Sequence, residues 1–555
     1  MSETPAPGDP ATTDAATADA PITRRQWLAM LTVSVGVSLV VMDMTIVNVA
    51  IPVIIDDLGL TAAGAQWMNA IYLLMLASVL LAAGRFGDQY GRRRVYALGL
   101  VLFMVASLAA GAAQSQEMLI AARFVQGLGA AMIVPSTLST LNATFQGRAR
   151  GIAFAVWGST VGGMVAVGPL VGGWLATDAS WRWAFWINLP FGLLALLGIV
   201  KVLDETKDPD LQRGTDLLGL ALSTLGLGGV VFGLIEGQYY GWWRQESGAL
   251  SPVPFAIGIG TVLVVAFVVV EARRGRAGKV TLIDLTLMRF RSLRYGSVAA
   301  LIVALGEIGL IFTLPLLLQG ALGYTPLGTG FLVLWLAVGT FLVSGATPQL
   351  TARIGQRAVV RIGLLLEVVA VAGVALVISL TVSGTAIAAL LFVYGAGVGM
   401  ATAQLTSVIL AEIPVAASGQ ASGILTTVRQ LGSALGIAVL GGLLISTLAT
   451  RTADELAATD LPAQEQEQIV SLVRDSAGAV IPELASEPET AEAAAAAQDS
   501  MVTASKITTG VAAVILVGGL AATLALPTLP VGPAGTRQSR DTGRTPGRSR
   551  RPARS

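Results

Sequence analysis

Long apolar stretches dominate this chain and leave few folds open to it. Windows long enough to span a bilayer fall at roughly 27–50, 66–84, 94–113, 118–140, 151–176, 184–203, 215–236, 252–271, 295–318, 327–350, 359–380, 384–406, 419–447 and 505–527. About 20 apolar residues in a helix match a hydrocarbon core about 30 Å thick. A soluble fold would have to hide all fourteen stretches as core helices. The composition agrees with a membrane solvent: 54% of residues are hydrophobic and only 12% charged, about half the charge of a soluble domain. The expected fold is an all-α polytopic membrane protein with 14 transmembrane helices.

An even number of spans puts both ends of the chain on one side. With the N-terminus inside, 28 of the 35 basic residues fall on inner segments and 5 on outer ones, while Arg123 and Arg429 lie within spans. Lys and Arg collect on the cytoplasmic side, so both termini are expected in the cytoplasm. Trp27, Trp67, Trp181, Trp183, Trp242 and Trp243 fall near span ends, where indoles anchor at the interface. Residues 1–26 read as a disordered cytoplasmic tail, and 528–555, with "RQSRDTGRTPGRSRRPARS", as a basic disordered tail near anionic headgroups. The acidic, Ala-rich segment 448–504 reads as a long, solvated outer loop, with room for amphipathic helical turns.

Two loops share a pattern. "GRFGDQYGRRRV" (84–95) follows the second span and "LTARIGQRAV" (350–359) the tenth. Aligning Gly91 with Gly355 gives an offset of 264, and the same offset carries Asp43 onto Glu307. The simplest reading is duplication. It divides the chain into a six-helix bundle at 27–203, two inserted helices with linkers at 204–294, and a second six-helix bundle at 295–527. Parallel six-span repeats with a substrate site between them describe one large transporter architecture.

Five charges lie clearly inside spans: Asp43, Arg123, Glu307, Glu367 and Arg429. Each costs about 2.5–3.5 kcal/mol at the bilayer centre, which makes function the default reading. At about 1.5 Å per residue, Asp43 lies about 24 Å from the inner end of its span and Arg123 about 8 Å from the outer end of its own. The two therefore share a depth and can pair, either as a proton switch or as a permanent ion pair joining spans one and four. Glu307 has no arginine mate, because Ile387 stands where the offset would put one. It is the less compensated acid, a candidate for taking up a proton, recognising a cation, or both. Glu367 is placed nearer the cytoplasmic end, where it could snorkel. Glu236 and Glu271 are placed at interfaces.

The first loop combines Gly84, Gly87 and Gly91 with Asp88 and the arginines Arg92, Arg93 and Arg94. Positive-inside topology explains the arginines but not the acid, which can latch onto them or onto a helix N-terminus. Span five, "GSTVGGMVAVGPLVGGWL", sets Gly168, Pro169, Gly172 and Gly173 in a small-residue helix with a proline bend, fit for close packing or a hinge.

Other chemistry is excluded by what the sequence lacks. With no cysteine and no histidine, there is no thiolate site, no evident metal or cofactor site, and no plausible nucleophile–base pair. No G-x-S-x-G and no G-x-x-x-x-G-K-[ST] occurs, so neither an enzyme nor an ATP-driven pump is indicated. Nucleic-acid binding is not expected.

These motifs resemble those of the major facilitator superfamily, in its fourteen-span drug:proton antiporter branch. "MDMTIVNVAIP" (42–52) resembles that branch's first-span motif, and "GRFGDQYGRRR" the superfamily's loop between spans two and three. "RFVQGLGAAMIVP" (123–135) is similar to the span-four motif, and "VGPLVGGW" (167–174) to the span-five antiporter motif. "WRWAFWINLPFG" (181–192), "LPLLLQGALGYTPLGTG" (314–330) and "ASGILTTVRQLGSALGIAVLGG" (421–442) resemble further segments of the branch. The resemblance implies a monomeric exporter of small lipophilic, often cationic compounds in exchange for protons, multi-pass in the cytoplasmic membrane. Asp43 and Arg123 would then couple, Asp88 and its arginines gate, and Gly168–Pro169 mark the antiport helix. The second loop has Ala352 where Asp88's mate would stand, so any latch is one-sided. Export of an endogenous metabolite or lipid, import on the same scaffold, and a non-transporting sensor remain as alternatives.

Overall fold

A computed structural model describes residues 22–526 apart from 146, 208–213, 215, 246–247, 414–417 and 460. Both tails, 1–21 and 527–555, lie outside the described residues, so the readings of those tails rest on sequence alone. Among the described residues the chain is helical, with one isolated β-bridge, Arg244 to Leu250, in a loop.

Thirteen helices are long and apolar enough to cross a membrane. In chain order with the helix Gly147–Asp178 they are α1 (Arg24–Leu58), α2 (Ala62–Tyr90), α3 (Arg92–Gly111), α4 (Gln116–Thr144), α5 (Gly147–Asp178), α6 (Trp183–Val202) and α7 (Leu217–Tyr240). There follow α8 (Val253–Arg276), α9 (Arg291–Gly320), α10 (Pro326–Ile354), α11 (Gln356–Val377), α12 (Gly384–Leu410), α13 (Gln420–Leu456, through a π-helical turn at Ile437–Gly441) and α14 (Ala491–Ala522). Helix α5 has 32 residues, ample for a span at about 1.5 Å each, which brings the number to the expected fourteen.

Local chemistry sets the helix starts. The Thr61 hydroxyl accepts from Gly64 N at 3.0 Å, and the Thr325 hydroxyl from Gly328 N at 3.1 Å. Each bond satisfies an orphan donor of a first turn. These caps are 264 residues apart. The same offset relates both ends of α2 to those of α10, and the start of α3 to the start of α11. Gly91 and Gly355 make the turns between them at φ +116° and +84°, backbone that side chains rarely tolerate.

Packing repeats as well. Helix α1 lies against α5 and α6, and α4 against α2 and α3; correspondingly α9 lies against α13 and α14, and α12 against α10 and α11. The two sets meet where α5 crosses α10, α2 crosses α13, and α1 touches α9. Helices α7 and α8 pair with each other, and α7 leans on α2. Much of α8 faces outward through Phe255, Ile259, Val262 and Val265, as expected of a surface bathed in lipid.

The segment 448–504 is not a solvated loop. Helix α13 continues to Leu456, α14 already begins at Ala491, and the short helices Ala463–Asp475 and Ile481–Leu484 fold between them. Ile469, Val473, Ile481 and Leu484 are buried, as are Ala493, Ala494 and Ala497 of the alanine run. The small alanines let α14 pack closely, and the spaced aliphatics supply a face that the acidic composition conceals. Trp181, placed near a span end from sequence, is 2% exposed, and its indole donates to Asp57 Oδ2 at 2.9 Å beside the C-terminal end of α1.

Candidate functional site

In the first half, four helices bring polar groups to one carboxylate. Asp43 of α1 is fully buried, and Arg123 of α4 is 1% exposed. Arg123 Nη1 donates to Asp43 Oδ2, and also to Gln126 Oε1 at 2.7 Å. The other carboxylate oxygen accepts from Gln126 Nε2 at 2.7 Å and from Asn188 Nδ2 of α6 at 3.1 Å. Ser107 of α3 accepts from both amides, at 2.8 and 3.2 Å. Arg123 Nε donates to the Met68 carbonyl at 3.0 Å, and its guanidinium lies 4.2 Å from the centre of the Tyr72 ring. A buried ion pair is tolerable only when its remaining donors and acceptors are satisfied, and these are.

The common depth of Asp43 and Arg123 therefore does correspond to a contact. Gln126, Asn188, Ser107 and Tyr72 were not singled out in the sequence. Gln126 could have been, because three residues from Arg123 puts it on the same helix face. Asn188 lies in a motif quoted above, but nothing in its spacing points to Asp43.

The second half is built differently. Glu307 of α9 is 7% exposed, and Glu367 of α11 is fully buried, so Glu367 does not snorkel. It stands 11 residues into its helix, too deep for a glutamate to reach either end. Among the described residues, neither oxygen of Glu367, nor Oε1 of Glu307, nor the hydroxyl of buried Tyr394 on α12 has a hydrogen-bond partner. Half-buried Arg429 of α13 supplies compensating positive charge to both acids. An unpaired buried polar group is costly, so these acids are poised for a proton, water or cation. Ile387, at the offset position of Arg123, is buried and apolar.

Between the halves lies a cavity of about 30 Å³, bordered by Thr45, Asn48, Pro169, Leu310, Leu314 and Tyr394 among others. That volume holds about two water molecules, so a larger guest requires the halves to separate. Glu307 shares a face of α9 with Leu310 and the cavity-lining Ile311, at three and four residues' distance. On the opposite wall, Asn48 accepts from Asn69 Nδ2 at 2.9 Å.

Helix α5 closes one end of the interface. A side-chain carbon on Gly173 would meet the Pro326 carbonyl at 2.5 Å, and one on Gly330 the Pro169 carbonyl at 2.5 Å. Gly168 and Gly172 face Thr45 and Ile46 of α1 just as closely. The contact ends in a hydrogen bond from Leu327 N to the Thr177 hydroxyl at 3.0 Å. Beside it, Gln319 Nε2 of α9 donates to the Val49 carbonyl of α1 at 2.9 Å.

At the other end, Asp88 Oδ1 pairs with Arg92 Nε at 2.9 Å across the Gly91 turn. Gly84 and Gly87 face Pro135 and Ser136 of α4, where an added side-chain carbon would make only ordinary contacts at 3.4 and 3.7 Å. Glu205, in the linker after α6, accepts from Arg93 N at 3.1 Å and lies 3.5 Å from Arg94 Nε. Arg93 Nη2 donates to the Val200 carbonyl at 2.7 Å. The sequence reading missed Glu205, a lone acid in a polar linker. Glu271, placed at an interface from sequence, is buried with Asp216. Its Oε2 accepts from Ile283 N at 3.0 Å, while Arg274 Nε lies 2.9 Å from Asp216 Oδ2.

Two packed six-helix repeats, each holding buried acids and with a cavity between them, define a membrane carrier. The Major Facilitator Superfamily profile matches residues 33–437, and the chain belongs to that family. It is 33% identical over 491 residues to a "Probable actinorhodin transporter" of Streptomyces coelicolor, covering 83% of this chain and 82% of that one. It is 30% identical to the "Multidrug resistance protein Stp" of Mycobacterium tuberculosis, covering 82% of each. Among solved structures, a bacterial homologue of the human lysosomal transporter Spinster, in an inward-facing and unoccupied conformation, superposes with a TM-score of 0.62. That match covers 91% of this chain and 98% of the other at 16% identity, a likeness of fold.

Proposed function

We propose that this protein is a proton-driven exporter of lipophilic, cationic drugs or antibiotics, acting by alternating access across the cytoplasmic membrane. The observation that carries the proposal is the pair of buried carboxylates, Glu307 and Glu367, which have no hydrogen-bond partner among the described residues, with Glu307 one helical turn from the lining of a cavity between the two bundles. Asp43, by contrast, is held by three donor side chains. An acid left unpaired in a low-dielectric interior is a functional site by default, here one for a proton or a cation. The antibiotic and multidrug names of the relatives support the substrate class.

In this reading both termini are cytoplasmic, and the α5–α10 contact at Gly173 and Thr177 seals the outer mouth. Substrate enters from the cytoplasm or inner leaflet as the bundles part. Its positive charge is met by Glu307 and Glu367, with Arg429 limiting their net charge. When the outer mouth opens, protons compete for the same carboxylates and release the cation. Asp43, Arg123, Gln126 and Asn188 act as a second, tightly bonded switch that opens only when α1 and α4 shift. The pairing of Asp88 with Arg92, held to the linker through Glu205, steadies the cytoplasmic gate. Pro169 and the glycines around it let α5 rock on α1 and α10. The chain works as a monomer with a complete site.

Everted vesicles with an inward-acid gradient and ethidium test the proposal. Uptake by wild type that is lost in Glu307→Gln or Glu367→Gln supports it. A wild type that moves no cation but moves a neutral or anionic metabolite would favour the endogenous-substrate alternative.

A further inference from the structure

A second cleft lies far from the interbundle cavity, on the outer seam between α11 and α14. It encloses about 410 Å³ and is lined by Arg361, Ile362, Leu365, Val517, Leu520, Ala521 and Leu524. Its volume falls within the range of small-molecule sites. Six of its seven lining residues are apolar, and Ile362, Leu365, Val517 and Leu524 are each more than a third exposed. One end carries charge. Arg361 stands one turn beyond Arg357, and each feels the other's positive charge. Arg357 Nη2 donates to the Leu524 carbonyl at 2.6 Å, which fixes it at the C-terminal end of α14. The Nε atoms of both arginines are buried and without a hydrogen-bond partner. Among the described residues, neither makes an ion pair.

We propose that this cleft is a binding site for an anionic phospholipid, its phosphate against Arg361 and Arg357 and an acyl chain along the α11–α14 groove. The charge distribution selects the occupant. Two neighbouring guanidiniums, one of which makes no hydrogen bond or ion pair among the described residues, attract an anion, and the apolar trough leading away from them suits a hydrocarbon chain. A phospholipid carries both. The chain's own C-terminal tail is no substitute, since residues 537–555 hold seven arginines and one aspartate. With both termini cytoplasmic, as proposed above, the site faces the inner leaflet, where anionic lipids attract basic pockets between helices.

The test uses the full chain purified in an uncharged detergent, with native mass spectrometry counting bound lipids during titration with phosphatidylglycerol or phosphatidylcholine. Each basic residue near a membrane surface favours an anionic headgroup by roughly fivefold. Wild type should therefore hold phosphatidylglycerol at least fivefold more tightly, and Arg361→Gln should lose about that factor. Ala521→Trp fills the trough without touching a charge and should also release the lipid; Val517→Trp serves if that variant unfolds. Excess inorganic phosphate should not displace the bound lipid. Equal binding of the two lipids, an unaffected Arg361→Gln, or retention of lipid in the trough-filling variants would overturn the proposal. Displacement by phosphate would also overturn it, in favour of a simple anion site. None of these readouts depends on transport, so failure here leaves the exporter reading standing.

Discussion

Gln126 Nε2 reaches Asp43 Oδ1 at 2.7 Å from the same face of α4 that sends Arg123 to the opposite oxygen. One helix thus holds both edges of the carboxylate, and a shift of α4 against α1 breaks both contacts together. Gln126→Ala should lower gradient-driven ethidium uptake severalfold while leaving the amount of folded protein near wild type. A hydrogen bond to a charged group contributes about 1.5–3 kcal/mol net. Uptake equal to wild type would show that the second edge has no part in coupling.

Arg123→Ala should behave differently, because it strands a buried carboxylate. Removing one partner of such a pair costs about 3–5 kcal/mol. The variant should therefore lose thermal stability in detergent, and Asp43→Asn on the same background should restore most of it. No recovery in the double variant would mean that Arg123 contributes through the Tyr72 ring and the Met68 carbonyl instead.

The α5–α10 contact can be fixed covalently, because the chain has no native cysteine. Thr177→Cys combined with Leu327→Cys places thiols at residues already joined by a 3.0 Å hydrogen bond. Oxidation should cross-link them and stop transport, and reduction should restore it. Transport that continues in the fully cross-linked protein would exclude any need for this mouth to open.

Gly91 and Gly355 hold equivalent turns at positive φ. Gly91→Ala should destabilise the protein by about 1–3 kcal/mol, the usual cost of an unfavourable backbone region, and Gly355→Ala similarly. Gly91→Ala should in addition impair transport, since Glu205 Oε2 lies 2.7 Å from where its Cβ would be. Measured unfolding and uptake for the two variants would separate the strain they share from the latch only one of them touches.

Much of this architecture was legible because lipid is an unforgiving solvent. Long apolar runs can only be helices there, and a charge within one needs a reason, so Asp43, Arg123, Glu307, Glu367 and Arg429 stood out. The offset of 264 was visible from Gly91 and Gly355, where the turn geometry demands glycine. What stayed hidden carries little cost. Asn188 and Ser107 are neutral, small-signal residues, and only the folded chain brings three helices to Asp43. Glu367 was set too near the surface because the start of α11 was placed three residues late. The helical cap at Ala463–Leu484 was hidden by composition: its buried aliphatics are few and widely spaced among acids that face outward.

The two halves also differ as electrical objects. Asp43 with Arg123 sums to zero when both are ionised. With both carboxylates ionised, Glu307, Glu367 and Arg429 would leave one negative charge in excess, which a single proton would cancel. A monovalent cation cancels it equally well, so trading one for the other leaves the interior at the same charge throughout the cycle. In the proposed exchange of one proton for one monovalent cation, no net current would flow, and the acidity difference across the membrane rather than the voltage would supply the drive. Nigericin, which collapses the pH difference, should therefore halt the carrier, whereas valinomycin with potassium should leave it running.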